Sequence, residues 1–443
     1  MRIVQIIPGT GGTFYCQNCL RDLALVRTLR QQGHDVVVVP LYLPIDLHDA
    51  SPQSKPDFYS AVSLYLRHTR PGLARWLPAA VWRWLEGMPV LRYAARRAGS
   101  TSAIGMGDIT LSMLQGEQGQ QAEELERLVS WLCEDVKPEL IVLSNALLLG
   151  LARRIKEELR VPVVCWLQDE HRWVDALPPE ESSRVWQVLC ARAADVDGFV
   201  AVSRTYAQRM SAAMALVPSR IRTIHLGVDP AAFAPADLSR RPRVIGFVSR
   251  LAESEGFTLA VDAFRELSRN RRFADVRLRA TGGVTNPEYV ARQMQRLQAA
   301  GLADRVEILP EAFRDDRPRF LTSLSLLSTP VPDGEAFGTY VIEAMATGLP
   351  VVEPNEGAYP EIFQEAGCGV LCPESNAKAL AATWATVLSD PARMADEGRR
   401  GREAVVNHFN LDRMARETVA YYQEIHGKQA RRRESMVWTP GQH

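Results

Sequence analysis

The feature that most constrains this chain is a repeated alternation of short apolar runs with amphipathic stretches. Residues 3–7, 35–39, 139–143, 161–167 and 194–203 read as strands, and the pattern restarts at 244–249, 276–281, 306–309 and 324–328. Runs that are apolar throughout, rather than at every second residue, mark strands buried on both faces, as in parallel sheets with crossover helices. At 443 residues the chain exceeds what one core holds, so two α/β domains are expected. The first spans 1–235, with an irregular helical insertion at about 45–130, and the second spans 241–408. A helix at 409–426 and a polar, basic tail at 427–443 follow, and the hinge falls in the proline-bearing stretch 234–242.

Between the strands at 324–328 and 351–352 lies Asp333-Gly-Glu-Ala-Phe-Gly-Thr-Tyr-Val-Ile-Glu343. It reads as a glycine-bearing loop that opens a short helix near Gly338 and Thr339, stopped by Gly348-Leu-Pro350. Such a helix start directs N–H groups and a positive dipole end at an anion. Glu335 before the helix and Glu343 one turn inside it are acceptor-only groups, suited to sugar hydroxyls. Read singly, Glu343 would complement its helix dipole and Glu335 would be a solvated loop residue. The spacing, Phe337-Gly338 and the Gly-Leu-Pro stop together favour a binding site. Arg250 ends the strand at 244–249 on the same carboxyl edge, where a guanidinium can clamp a diphosphate.

Glu335 to Glu343, with Met345-Ala-Thr-Gly-Leu-Pro-Val351 and Gly357-Ala-Tyr-Pro-Glu361 in register, resembles the Glu-x7-Glu signature of retaining glycosyltransferases of the GT-B fold, family four. The resemblance implies two doubly wound Rossmann-like domains facing across a cleft. It implies transfer of a sugar from a nucleotide diphosphate-sugar to an acceptor hydroxyl with retention, without metal or other cofactor, in cell-envelope or polysaccharide glycan synthesis. Glu335 would orient the donor sugar and Glu343 the ribose. Arg250, Phe337, Gly338 and Thr339 would hold the leaving diphosphate, with Gly11 and Gly12 of the first glycine-rich loop approaching it.

Two positions depart from that pattern. Gln168 stands where a His is common, and Asp169 or His171 would take over its catalytic place unless they form ion pairs or caps. Glu255 stands where a phosphate-binding Lys is usual, so it turns away, or another cation compensates, or donor binding is weakened. These departures keep a silent sugar-nucleotide binder as an alternative, beside a GT-B phosphorylase or an epimerase.

Lys+Arg 52 against Asp+Glu 52 gives a formal net charge of +0, which excludes recruitment of nucleic acid by a global field. The acceptor class stays open, a lipid-linked or a small glycan. Seven cysteines without an export signal read as reduced thiols in the cytoplasm. Cys16 and Cys19 share a helix face, as a redox pair, half a metal site or packing. Trp76, Trp82 and Trp84 with Arg75, Arg83, Arg92, Arg96 and Arg97 make residues 73–97 either a peripheral contact with the inner membrane face or the core of an inserted helical pair.

Overall fold

The computed structural model describes residues 1–8, 17–41, 105–284, 286–309 and 316–437. Segment 73–97, Gly11, Gly12 and Cys16 lie outside them, and only the backbone of Cys19 is described. The chain divides into two compact units. One comprises residues 1–202, 207–224 and 415–443, the other residues 203–206 and 225–414.

The first unit is built on a six-stranded parallel sheet. Its strands are β1 (Arg2–Ile7), β2 (Asp35–Pro40), β3 (Leu140–Leu143), β4 (Val163–Leu167), β5 (Gly198–Ala201) and β6 (Ile221–Thr223), in the order β2-β1-β3-β4-β5-β6. Ile3 pairs with both Val36 and Leu140, and Leu143 with Cys165. β1 and β2 expose only Arg2 and Asp35, which pair with each other at 2.6 Å. Order reverses between β1 and β3, so their carboxyl ends flank a crevice.

The second unit repeats the scheme with β7 (Val244–Val248), β8 (Arg277–Thr281), β9 (Val306–Ile308) and β10 (Leu326–Leu327) in the order β10-β7-β8-β9. A bridge from Leu327 to Val351 carries the sheet on to β11 (Val352–Pro354) and β12 (Val370–Cys372). Here the order reverses between β7 and β10, which places a ligand crevice at their carboxyl ends. Phe247, Phe257, Phe264 and Trp384 centre the core beneath, with the Phe247 and Phe257 rings edge-on at 5.2 Å.

Two segments differ from the sequence expectation. Residues 146–151 form a 3₁₀ turn before the helix Ala152–Leu159, where one helix from 147 was expected. At Gly150 a Cβ would lie 2.0 Å from the Met113 carbonyl oxygen, so the turn is packed backbone to backbone there. The last helix runs Leu411–Val437, through much of the expected tail. Among the described residues, no helix is long and apolar enough to cross a membrane.

Candidate functional site

At the reversal point of the second unit, the loop after β7 brings together Ser249, Arg250 and Glu255. Glu255 is buried and accepts from the half-exposed Arg250 guanidinium with Oε1 and from Ser249 Oγ, at 2.9 Å, with Oε2. Glu255 therefore does not turn away; it neutralises the one cation that the sequence placed here. The loop is held rigidly. Gly256 has φ +81° and a Cβ there would meet the Pro330 carbonyl oxygen at 1.9 Å, while a Cβ on Gly282 would strike Ser249 oxygen at 2.1 Å. Only glycine permits these approaches.

After β10 the chain forms the second wall. Gly338, at φ +81°, stands at the N-cap of the helix Thr339–Ala346 without any side-chain cap, so the helix start keeps its capacity for an anion. Phe337 is buried, its ring 5.9 Å from His225 and 6.2 Å from Phe409, and so contributes only backbone. The Glu335 carbonyl accepts from Ala358 N at 3.0 Å, and Gly357 packs its backbone against Glu335 N. Glu343, mostly buried, stands 3.4 Å from Arg317 Nη1, also buried. Its carboxylate thus has a cation beside it before any ribose arrives.

Two acids were given no role from the sequence. Glu353 is fully buried on β11, and both its oxygens accept from Thr329 N, at 3.0 and 3.1 Å. Burial drives its pKa far above the ordinary carboxylate value; the Thr329 N–H opposes this and the nearby Glu335 reinforces it. A buried Glu on a strand bears no local sequence signal. Glu361 accepts from Arg204 N, Thr205 N and His225 Nε2. Burial pushes Glu361 up, but these hydrogen bonds and the His225 charge outweigh it and hold the carboxyl at about 2. The motif Gly357-Ala-Tyr-Pro-Glu361 pointed at this residue without giving it a role.

In the first unit, Gln168 is buried, donating to the Ser144 carbonyl, while its own N–H donates to Glu170 at 2.8 Å. Ser144 Oγ in turn donates to Asp22, whose pKa burial raises against the lowering effect of Arg21. Gln168 is thus locked into a buried polar cluster. Asp169 is the partly exposed group: it sits at φ +77°, a left-handed geometry unusual for a non-glycine residue. Its Oδ1 lies 3.4 Å from Arg172 Nε and 3.9 Å from His171 Nδ1. Asp169 does not cap its helix through its side chain. Among the described residues no group of three or more His, Cys, Asp or Glu could hold a metal ion.

Residues 230–404 match the family described as glycosyl transferases group 1. The 2-deoxystreptamine glucosyltransferase of Streptomyces kanamyceticus is 29% identical over 245 residues, covering 52% of this chain and 62% of its own length. The D-inositol 3-phosphate glycosyltransferase of Salinispora tropica is 28% identical over 250 residues, 52% of each chain. The matches thus span between about half and three-fifths of these relatives. Among solved structures, HepE of Anabaena in complex with UDP superimposes with TM-score 0.68 at 18% identity, over 96% of this chain and 100% of HepE. Sucrose-phosphate synthase of Thermosynechococcus elongatus does so with TM-score 0.68 at 16% identity, over 97% and 100%. The fold is therefore of the GT-B type, with two Rossmann-like domains.

Proposed function

We propose, from a chain whose residues 230–404 match the group 1 glycosyl transferases, that the protein moves a sugar from a nucleotide diphosphate-sugar to an acceptor hydroxyl with retention of configuration, in glycan synthesis of the cell envelope. The observation that carries this reading is the reversal point of the second unit, where an uncapped helix start at Gly338 and the Arg250 guanidinium stand at the carboxyl edge of neighbouring strands. Backbone dipoles at Gly338 and Thr339 would meet the charge that develops on the leaving diphosphate, in an orientation fixed before the reaction begins. Glu335 would orient the sugar and Glu343, steadied by Arg317, the ribose hydroxyls. The first unit would take the acceptor, with Asp169 and the glycines Gly11 and Gly12 on that side. HepE, solved with UDP and with UDP-glucose, supports a nucleotide-sugar as the donor class.

One observation favours a second reading. With Arg250 already paired to Glu255, a weak or silent sugar-nucleotide binder would show the same geometry. Calorimetric titration with UDP, GDP and ADP, followed by product analysis with the sugar ester of whichever base binds, separates the two. Binding with transfer supports the enzyme, binding without transfer or hydrolysis the silent protein, and binding of no nucleotide refutes both. Glu343→Ala is expected to weaken the nucleotide that binds about tenfold, the effect of losing a hydrogen bond from a charged group. Unchanged affinity refutes the ribose role. Turnover is expected to survive a chelator, since the dipoles and Arg250 do the work of a cation; its loss would overturn the metal-free reading.

A further inference from the structure

The Arg250–Glu255 pair suggests more than a weakened pocket. Resting on the nucleotide-sugar reading above, we infer that Glu255 is a specificity-determining residue that disfavours the free nucleoside diphosphate relative to the sugar ester, and so favours release of the spent nucleotide.

The geometry is as follows. Glu255 is 3% exposed while Arg250 is 50% exposed, so the carboxylate lies behind the guanidinium and the guanidinium faces outward. Oε1 accepts from Arg250 Nη2 and Oε2 is held by Ser249 Oγ at 2.9 Å. The carboxylate cannot swing away. Gly256, the next residue, is in backbone contact with Pro330, and Ser249 with Gly282. An anion gripped by the free guanidinium N–H groups therefore sits one guanidinium width from a fixed negative charge, roughly 7 Å away. At that separation near a protein surface, each added unit of charge on the ligand is disfavoured by about tenfold or more.

A sugar ester of a nucleoside diphosphate and the free diphosphate differ in this one respect. Losing the sugar frees a terminal phosphate oxygen that ionises near pH 6, adding about one negative charge at pH 8. Glu255 penalises that charge in addition to those the sugar ester also carries, and this extra penalty falls on the product alone. In a site with two free cations the opposite holds: the more highly charged product binds tighter and leaves slowly. The buried carboxylate also anchors Arg250 through Nη2, leaving its other nitrogens as donors.

The test uses the 443-residue chain and its variants Glu255→Gln and Glu255→Ala, both lacking the charge, titrated at pH 8 with UDP, UDP-glucose, GDP and GDP-mannose. An unfolding curve for each variant confirms that it folds. The expected result is that both variants bind the free diphosphate more tightly, and that its affinity relative to the matching sugar ester rises by about tenfold over wild type. At pH 5.5, where the extra phosphate proton returns, the change in that ratio should shrink. A merely structural role for Glu255 would weaken both ligands together and leave the ratio unmoved, which overturns the inference while nucleotide binding stands. Binding of none of the four ligands by any of the three proteins overturns the nucleotide-sugar reading and this inference with it.

Discussion

Glu361→Ala is expected to destabilise the second unit by about 2 to 3 kcal/mol at pH 7, the usual cost of losing hydrogen bonds to a charged acceptor. Glu361 is 7% exposed and accepts hydrogen bonds from four donors. These are the N–H groups of Arg204 and Thr205, at 2.8 and 3.0 Å, the Thr205 hydroxyl, at 3.2 Å, and the His225 imidazole. The first two open the helix Arg204–Ala213, so the carboxylate also acts as a cap contributed from elsewhere in the chain. Ser203 adds its own cap, accepting from Tyr206 N at 3.0 Å while donating to the Ala336 carbonyl at 2.7 Å. His225 packs in turn on Phe337, two residues after Glu335. Loss of Glu361 should therefore loosen the Glu335 loop as well as the helix start, and lower nucleotide affinity. The pH dependence has a definite sign. Because the folded pKa is depressed to about 2, the stabilisation is complete above the ordinary Glu value near 4.5. It is lost as pH falls from there toward 2. Urea unfolding of wild type and variant at pH 7 and pH 3.5 should show the gap narrowing at the lower pH. A gap under about 1 kcal/mol at pH 7 would show that solvent replaces the carboxylate at small cost.

Strands were legible in the sequence because a parallel strand covered on both faces must be apolar throughout, as at Val36 to Val39 and Ile245 to Val248. Helices such as Pro179–Arg192, Pro287–Ala299 and Pro391–Asn407 stood out less, their apolar stripes being narrow. The helix start at Gly338 was legible because a local chemistry, glycine before an uncapped turn, announces it. The states of the acids around it were not. Glu255 is a lone acidic residue in one dimension, and only the fold shows that it turns onto Arg250 rather than away from it. His225 and Glu361 are 136 residues apart and meet through the folded chain. Asp169 showed itself as a polar residue at a strand end, but its left-handed backbone is a property of the turn it makes.

Glu353→Gln is expected to remove a pH dependence of the opposite sign. The side chain is fully buried, and its oxygens share one donor, Thr329 N. Burial, with Glu335 adding to it, lifts the folded pKa far above the unfolded value. Folding therefore favours the protonated acid. That contribution is fully present below the ordinary Glu pKa near 4.5 and is lost as pH rises through the interval up to the folded value, at about 1.4 kcal/mol per pH unit. Glutamine has the same shape, keeps a carbonyl oxygen for Thr329 N–H and never ionises, so its variant lacks this slope. Denaturation of both proteins at pH 5, 6 and 7 should show the variant gaining on wild type as the pH rises. Parallel stability curves would mean that the buried acid is ionised at pH 5 already. The consequence reaches the site, because Thr329 Oγ1 accepts from Val248 N at 3.0 Å and so ties the acid to the end of β7, from which Arg250 projects. A proton kept on Glu353 leaves the wall behind Glu335 without a further negative charge. Next to a diphosphate that shares the Arg250 guanidinium with Glu255, one more fixed anion would act against the ligand.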